Sequence, residues 1–321
     1  MPHPTAVSPE HPPADVVCIG ETMAVLSPPD DRPLADQSAL RLSVGGAESN
    51  VACGLAALGH RAAWLSRVGD DAFGRRIRSE LAARGVEVGA VAVDSAHPTG
   101  VYFKDPGPDA TRPLYYRGGS AAAHMGPELA GAPGLRGPRI VHVSGITAAL
   151  SGSCARLLEE IVVHRTPWGG PAGPRPLVSF DVNHRPALWS GRNADAAPVL
   201  RDLARAADLV FVGRDEAEAL WGTAHPDDIA SLLAPAPRIV VKDAEHGATS
   251  YAAGEVTFAA ALTVEVVEPV GAGDAFAAGY LSGVLSDLDE PSRLRLGHRT
   301  AATALRSRDD IPDLSQALAR R

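Results

Sequence analysis

Short apolar runs that alternate with helical segments limit the fold of this chain more than any other feature. In the second half, the runs occupy residues 140–144, 177–181, 208–212 and 238–242. A strand that is apolar at nearly every position is buried on both faces, and strands of this kind separated by helices build a parallel sheet. The intervening helices are predicted at about 151–164 and 214–221. The sequence therefore predicts an α/β fold with a mainly parallel central sheet.

The first half of the chain opens with a predicted buried strand at residues 15–21, and a second short strand is predicted at 62–66. Helical stripes cover 51–58 and 70–81, and each is followed by a glycine that can end a helix. Residues 34–43 show no regular pattern and are interpreted as irregular. This half therefore adds strands and helices of the same α/β type.

Residues 99–104 and 113–117 flank a Pro-Gly-Pro-Asp turn at 106–109 and are predicted to form a β-hairpin. Tyr115 and Arg117 share one face of the second strand, because side chains alternate along a strand. A hairpin of this size cannot be a domain by itself and must cover another part of the molecule. Two interpretations stay open: a cover over a ligand site, or an exposed hairpin with an ordinary aromatic pair.

The stretch Gly-Ala-Gly-Asp at residues 271–274 precedes an apolar helical stripe that begins at Phe276. Glycines at a helix start let backbone N–H groups converge on an anion, and the helix dipole adds to the attraction. The carboxylate of Asp274 would repel a phosphate there unless it acts as a base beside the transferring group. The alternative is an ordinary acid in the first turn of a helix. The stretch has neither the Gly-Lys-Ser/Thr of a Walker A loop nor the third glycine of a dinucleotide fingerprint.

The longer run from Glu268 to Gly279 resembles the C-terminal signature of the ribokinase-like (PfkB) family of sugar kinases. The resemblance implies that Asp274 deprotonates the sugar hydroxyl. It also implies that the backbone of Gly271, Ala272 and Gly273 forms an anion hole for the transferred phosphoryl group. A kinase reaction is therefore the first functional expectation.

The same resemblance implies a ribokinase-like three-layer α/β/α fold with a small β-sheet lid. Residues 15–321 would form a single kinase domain, and the lid strands would come from about 22–45 and 97–120. The preceding tail at 1–14 is expected to be disordered.

The segment Gly-Gly-Ala-Glu-Ser-Asn at 45–50 resembles the N-terminal signature with which these kinases bind sugar. The stretch Ser-Gly-Ile-Thr at 144–147 and the run at 181–189 look most like the family's 2-keto-3-deoxygluconate kinases, in which an arginine contacts the acidic substrate. The resemblance implies phosphoryl transfer from ATP to a primary hydroxyl of 2-keto-3-deoxygluconate. The implied substrate-binding residues are Gly46, Ala47, Glu48, Ser49, Asn50, Tyr102, Tyr115, Arg117, Ile146, Arg185, Asp274 and Asp310.

ATP and Mg²⁺ are the cofactors that the resemblance implies, with a monovalent cation as a further candidate. The family carries Asn-x-x-Glu where this chain has residues 213–216, and here Gly213 replaces the asparagine. Glu216 is retained and is expected to act on Mg²⁺ indirectly. His298 falls where related kinases often carry an asparagine near the adenine. The implied ATP-binding residues are Asn183, Arg185, Glu216, Lys242, Gly247, Gly271, Ala272, Gly273 and His298.

Composition narrows the class of partner. The formal net charge of −8 at pH 7 argues against a nucleic-acid surface. The three cysteines stand far apart, which favours a reducing cytoplasm over a disulfide framework. No apolar run approaches the length of a membrane span, and the proline-rich start lacks the pattern of a signal peptide. We therefore expect a cytoplasmic protein whose ligands are small molecules, with neither nucleic acid nor membrane as a partner.

Two alternative functions stay open. Within the family, the chain could be a fructokinase or another sugar kinase. In a different class, it could be a non-catalytic relative that binds a sugar or nucleotide, although Asp274 and the intact glycines disfavour this. The exposed strand edges of a lid sheet favour a homo-oligomer, a dimer or higher, formed through the lids.

Overall fold

The computed structural model describes residues 13–107, 111–170, 175–190, 193–307 and 309–317. Most of the predicted tail, positions 108–109 of the predicted hairpin turn and Arg308 lie outside these ranges. The strands are β1 (Val16–Ile19), β2 (Met23–Ser27), β3 (Arg41–Gly45), β4 (Ala62–Leu65), β5 (Arg67–Gly69), β6 (Ala92–Asp94), β7 (Val101–Asp105), β8 (Arg112–Tyr116), β9 (Ile140–Ser144), β10 (Leu177–Asp181), β11 (Leu209–Gly213), β12 (Arg238–Asp243), β13 (Gly247–Ala252) and β14 (Glu255–Ala260). The helices are α1 (Ala47–Ala57), α2 (Ala72–Ala83), α3 (Gly145–Leu150), α4 (Gly152–Leu158), α5 (Asn193–Ala206), α6 (Arg214–Trp221), α7 (Pro226–Leu233), α8 (Ala272–Leu285) and α9 (Glu290–Leu305).

The central sheet has the strand order β14-β13-β12-β11-β10-β9-β1-β4. The strands from β12 to β4 pair in parallel, whereas β13 and β14 add an antiparallel hairpin at one edge. Hydrophobic cores lie on both faces of the sheet, because successive side chains of a strand point in opposite directions. In β1, Val17 and Ile19 enter one core while Val16 and Cys18 enter the other. The predicted α/β fold with a mainly parallel sheet is confirmed.

A second, small sheet has the order β3-β2-β7-β8. Its strands β2 and β7 are parallel, and β3 and β8 pair antiparallel to them on the outside. Met23, Val25 and Tyr102 form a minor apolar cluster on this sheet. All four strands lie within the segments at 22–45 and 97–120 from which lid strands are expected.

One local prediction is wrong, and another is right in extent but not in helix type. The end of the stretch interpreted as irregular forms β3, because β2 offers it an antiparallel partner over the whole register from Met23–Gly45 to Ser27–Arg41. The helix predicted at about 151–164 is present, but only Gly152–Leu158 is α-helical, and α4 passes directly into a π-helical turn at Glu159–Val163. Local periodicity carries no information on either strand pairing or a change of helix type.

Within the described ranges, no helix has both the length and the apolar character that crossing a bilayer demands.

Candidate active site

A cavity of about 710 Å³ opens at the carboxyl ends of the parallel strands, where open α/β sheets hold their ligands. The N-termini of α1 and α8 form its floor, and the small sheet forms one wall. Most of the predicted site residues line it, although they come from widely separated parts of the chain. These residues are Gly46, Ala47, Asn50, Tyr102, Tyr115, Arg117, Ile146, Asn183, Arg185, Glu216, Lys242, Gly271, Gly273, Asp274 and Asp310.

Asp274 lies in the first turn of α8, directly after the predicted anion-hole segment. Gly271 precedes the helix with φ = 80°, a left-handed conformation that favours glycine. The Nδ2 of Asn50, in the first turn of α1, donates a 2.8 Å hydrogen bond to Oδ2 of Asp274. Burial raises the pKa of Asp274 to about 7, because the hydrogen bond from Asn50 and the cations Arg185 and Lys242 offset only part of the desolvation. A carboxylate with a pKa near neutrality is suited to accept a proton.

Lys242 brings a positive charge to the same helix terminus. It lies one residue before the end of β12, and its Nζ donates to Oδ2 of Asp181 at 2.8 Å. A Cβ built on Gly273 would lie 3.6 Å from Nζ, so the ammonium borders the start of α8. Burial disfavours the charged ammonium, but the carboxylates of Asp181 and Glu216 outweigh it and raise the pKa of Lys242.

Glu216 and Arg185 form the adjoining wall. The backbone N–H of Gly213 donates to Oε2 of Glu216 at 2.9 Å, which fixes the carboxylate at the start of α6. Nη1 of Arg185 lies 3.5 Å from Oε1 of Glu216, and the arginine side chain is 51% exposed. Burial raises the pKa of Glu216. Oδ1 of Asp181 is buried beside this wall without a hydrogen-bond partner among the described residues.

The small sheet closes the opposite side of the cavity. The hydroxyl of Tyr102 donates to Oδ2 of Asp310 at 2.9 Å, which joins β7 to the C-terminal loop. Arg117 is ion-paired with the buried carboxylate of Glu21 and lies over the ring of Tyr115, with 5.6 Å from Cζ to the ring centroid. The rings of Tyr102 and Tyr115 are 5.5 Å apart. This wall therefore presents two phenols and a guanidinium whose charge is already balanced.

The sequence model of the family described as pfkB family carbohydrate kinase matches residues 13–317. The chain belongs to the pfkB family of carbohydrate kinases. A 2-dehydro-3-deoxygluconokinase from Thermoproteus tenax is 33% identical to this PfkB kinase over 300 residues, which cover 92% of this chain and 89% of the relative. A relative of the same name from Bacillus subtilis (strain 168) is 34% identical over 308 residues, with 94% and 92% covered.

The fold of this PfkB kinase agrees with that of a solved relative. The crystal structure of a PfkB protein from Polaromonas sp. JS666 superposes with a TM-score of 0.83 at 31% identity, and the alignment covers 96% of this chain and 100% of that chain. The predicted ribokinase-like fold and membership of the carbohydrate kinase family are therefore confirmed.

Glu48 and Ser49, which were predicted to bind substrate, are not among the residues that line the cavity of this PfkB kinase. The side chain of Glu48 occupies the space that Gly20 leaves open, where a Cβ would lie 2.1 Å from Cδ. Oε1 of Glu48 accepts hydrogen bonds of 2.7 Å from Ser144 Oγ and from Thr147 Oγ1. Burial raises the pKa of Glu48. Ser49 Oγ donates to the carbonyl of Gly46 at 3.0 Å, so both side chains hold α1 in place.

Three predicted nucleotide residues also lie outside the cavity lining. The backbone N–H of Ala272 donates to the carbonyl of Pro269 at 3.4 Å. A Cβ on Gly247 would lie 2.3 Å from the carbonyl oxygen of Ala259, so this glycine is needed for hairpin packing. Nε2 of His298 lies 3.0 Å from the same carbonyl, and burial lowers the pKa of this imidazole. These contacts give the three residues structural partners within the chain.

Glu21 and Asp181 line the cavity but were not among the predicted site residues. Each lies at or just beyond the carboxyl end of a parallel strand, β1 for Glu21 and β10 for Asp181. An acid at the end of a fully apolar strand is the sequence signal that could have identified both, because such ends converge at the ligand site.

Proposed function

We propose that this PfkB kinase transfers the γ-phosphoryl group of ATP to a primary hydroxyl of 2-keto-3-deoxygluconate, giving 2-keto-3-deoxy-6-phosphogluconate. The observation that carries the proposal is the position of Asp274. Its carboxylate has a pKa of about 7, lines the cavity and lies in the first turn of a helix whose N-terminus can receive an anion. The name shared by the relatives at 33% and 34% identity supports the choice of substrate.

Asp274 acts as the general base in the proposed reaction. The hydroxyl proton moves to its carboxylate as the hydroxyl oxygen bonds to the γ-phosphorus and the bond to the bridging oxygen of ADP breaks. Asn50 orients the carboxylate through the 2.8 Å hydrogen bond, which leaves the other carboxylate oxygen for the substrate. The N-terminus of α8, with Gly271 and Gly273 in the lining, faces the charge that develops on the phosphoryl group.

ATP brings phosphate charge to this end of the cavity, and the residues there fit a Mg²⁺ ion. Asp181 has a buried carboxylate oxygen without a partner among the described residues, and Glu216 lies beside it in the lining. Mg²⁺ is commonly held by one or two carboxylates together with substrate phosphates. We assign Asp181 and Glu216 to that role, directly or through water. When bound, Mg²⁺ would neutralise charge on the phosphates, and Lys242 adds positive charge at the same place.

Arg185 is the proposed partner for the carboxylate of the sugar acid. Arg117 also lines the cavity, but its guanidinium is already paired with Glu21 and is only 9% exposed. Arg185 is 51% exposed and its contact with Glu216 is long, at 3.5 Å, so it retains more capacity for a ligand. A guanidinium can bind a carboxylate through two parallel hydrogen bonds. Because of this difference in exposure and pairing, we assign Arg185 the larger part in binding the carboxylate of the sugar acid.

The deciding experiment is a comparison of sugars with the wild-type enzyme, with ADP formation followed at saturating MgATP. We expect kcat/KM to be highest for 2-keto-3-deoxygluconate, and we include its C4 epimer, fructose and ribose as competitors. A higher kcat/KM for fructose or ribose would assign the protein to the alternative sugar kinases. No stimulation of ATP turnover by any sugar would favour the non-catalytic alternative.

Arg185→Ala tests how the acid is recognised. We expect kcat/KM for 2-keto-3-deoxygluconate to fall by roughly 10- to 150-fold, the size of a lost charged hydrogen bond. Arg214→Ala is the matched control, because Arg214 starts α6 nearby but pairs with Asp243 outside the cavity lining. The KM for ATP is measured in parallel, since an equal rise for ATP would assign Arg185 to the nucleotide instead.

We further propose that the kinase is cytoplasmic, where ATP is supplied, and that it forms a homo-oligomer through the small sheet. Strand β8 lies at the edge of that sheet, and Tyr116 on it is 67% exposed. Unpaired strand edges with exposed apolar side chains favour association with a second copy. Light scattering coupled to size-exclusion chromatography would measure the assembly, and Tyr116→Lys should shift it toward the monomer.

A further inference from the structure

The chain almost never uses lysine. Of the 30 lysines and arginines in the sequence, only Lys104 and Lys242 are lysines. On a solvated surface either cation serves, but a compact ammonium and a planar guanidinium are not interchangeable at a packed site. Lys242 lines the cavity, and Lys104 lies on β7 beside it, two residues after Tyr102. A chain that otherwise uses arginine therefore has one lysine in the cavity lining and the other on a strand of the sheet that forms a cavity wall.

The ammonium of Lys104 is shared by two carboxylates. Nζ lies 2.7 Å from Oδ1 of Asp310 and 3.5 Å from Oε2 of Glu268. The lysine side chain is only 10% exposed and that of Asp310 only 2%, so water screens this contact poorly. Tyr102 donates to the other oxygen of Asp310, and thus two residues on one face of β7 engage one carboxylate.

The three charged residues belong to three different segments. Lys104 is in the small sheet, Asp310 is in the C-terminal loop, and Glu268 precedes the turn into α8. The loop also touches that turn, because a Cβ built on Gly271 would lie 3.1 Å from the carbonyl oxygen of Asp310. The ammonium of Lys104 therefore contacts the side chain of Asp310, and the backbone carbonyl of Asp310 borders Gly271, the residue that precedes α8.

We infer that Lys104 is a positioning residue whose ammonium ties the small sheet to the turn at the start of α8. When the small sheet closes over the sugar, Lys104 holds Asp310 and Glu268 and so fixes Gly271 for phosphoryl transfer. An ammonium can be approached by two carboxylates from different directions, whereas the planar fork of arginine favours one carboxylate in two-pronged fashion. This difference explains lysine at a position that would otherwise be arginine. The inference rests on the proposed kinase function.

The first test compares Lys104→Met, Lys104→Arg and the exposed control Arg112→Met on the neighbouring strand β8, with the sugar that the wild type uses best. We expect Lys104→Met to lower kcat/KM for the sugar by about 100-fold, the size of effect that a misplacement of about 1 Å at the reacting groups can have. The Kd of a non-hydrolysable ATP analogue should change less than about twofold, because Lys104 pairs with Asp310 and Glu268 and not with the residues assigned to ATP and Mg²⁺. Lys104→Arg should recover part of the thermal stability but less than a tenth of kcat/KM.

Chemical rescue separates positioning from folding. In Lys104→Ala, ammonium or methylammonium chloride at about 100 mM can enter the space between the two carboxylates, and we expect turnover to rise at least fivefold. With potassium chloride present throughout to occupy any monovalent-cation site, the wild type and Arg112→Met should show no such rise, and sodium chloride at the same added concentration controls for ionic strength.

Several results would overturn the inference. These are a Lys104→Met enzyme within threefold of wild type, full recovery by Lys104→Arg, an equal loss of ATP-analogue binding, or no rescue by small ammonium ions. A wild-type enzyme that phosphorylates no sugar would instead refute the proposed function, so the two failures are distinguishable.

Discussion

Helices α1 and α8 begin alike in sequence and serve different purposes in the fold. Each follows glycine, each carries one acid in its first turn, and the two helices pack against each other. The acid of α1, Glu48, is fully buried and holds two hydroxyl groups beneath the sheet edge. The acid of α8, Asp274, faces the cavity and accepts a hydrogen bond from the amide of Asn50. The same local pattern therefore produces a packing residue in one helix and a candidate base in the other.

The glycines that precede the two helices are required for different physical reasons. Gly46 has an extended backbone with φ = −174°, but a Cβ there would lie 2.2 Å from the carbonyl oxygen of Glu21. Gly271 has φ = 80°, and the atom nearest to a Cβ built there would be 3.1 Å away. Close packing excludes a side chain at Gly46, whereas the left-handed conformation excludes one at Gly271. A glycine-rich helix start is thus not evidence of an anion site until its surroundings are known.

The largest effect is expected from replacing Asp274 and Glu48, in separate variants, with the corresponding amides. Asp274→Asn should lower kcat by roughly 10²–10⁴-fold, because it removes the general base. The melting temperature of Asp274→Asn should not fall. Because the pKa of Asp274 is raised to about 7, its ionised carboxylate destabilises the folded state, and the amide removes that cost. Glu48→Gln should leave kcat within about threefold and act on stability instead. Steady-state kinetics and thermal unfolding of both variants measure these effects. An equal fall of kcat in the two variants would contradict the proposed difference between Asp274 and Glu48.

The next effect concerns the two glycines. Gly46→Ala should lower the free energy of unfolding by about 3 kcal/mol, since the new methyl group meets rigid backbone. Gly271→Ala should cost about 1–2 kcal/mol for an L-residue in the left-handed region. Urea denaturation measures both. Gly271→Ala should also reduce kcat, because the turn would move away from Asp310; unchanged kcat in this variant would remove the turn from the mechanism.

The smallest effect is a shift in the pH profile. Because Asp274 must be ionised to accept a proton, kcat/KM should fall tenfold per pH unit below its pKa of about 7. The hydrogen bond from Asn50 favours the ionised form of Asp274. Removing it in Asn50→Leu should therefore raise the pKa of Asp274 and shift the acidic limb of the profile, where kcat/KM falls, to higher pH by about one unit. A limb that stays in place would show that another group sets the profile.

The sequence alone was sufficient for the features that depend on local pattern. Apolar runs located the strands of the parallel sheet, and glycine followed by an apolar stripe located the start of α8. Both rest on the periodicity and conformational preferences of a few consecutive residues. The resemblance of the two glycine segments to family signatures then implied Asn50 and Asp274, which the structure joins by a hydrogen bond.

Tertiary structure alone decided which of these residues face the cavity. Glu48 could not be distinguished from a ligand-binding acid by sequence, because its burial depends on Gly20, Ser144 and Thr147, which lie far from it along the chain. The pairing of Arg117 with Glu21, and of Lys104 with Asp310, arises in the same way from contacts across 96 and 206 positions of the chain. Charge and burial at a site are sums over neighbours in space, and neighbours in space are set by packing that no local pattern records.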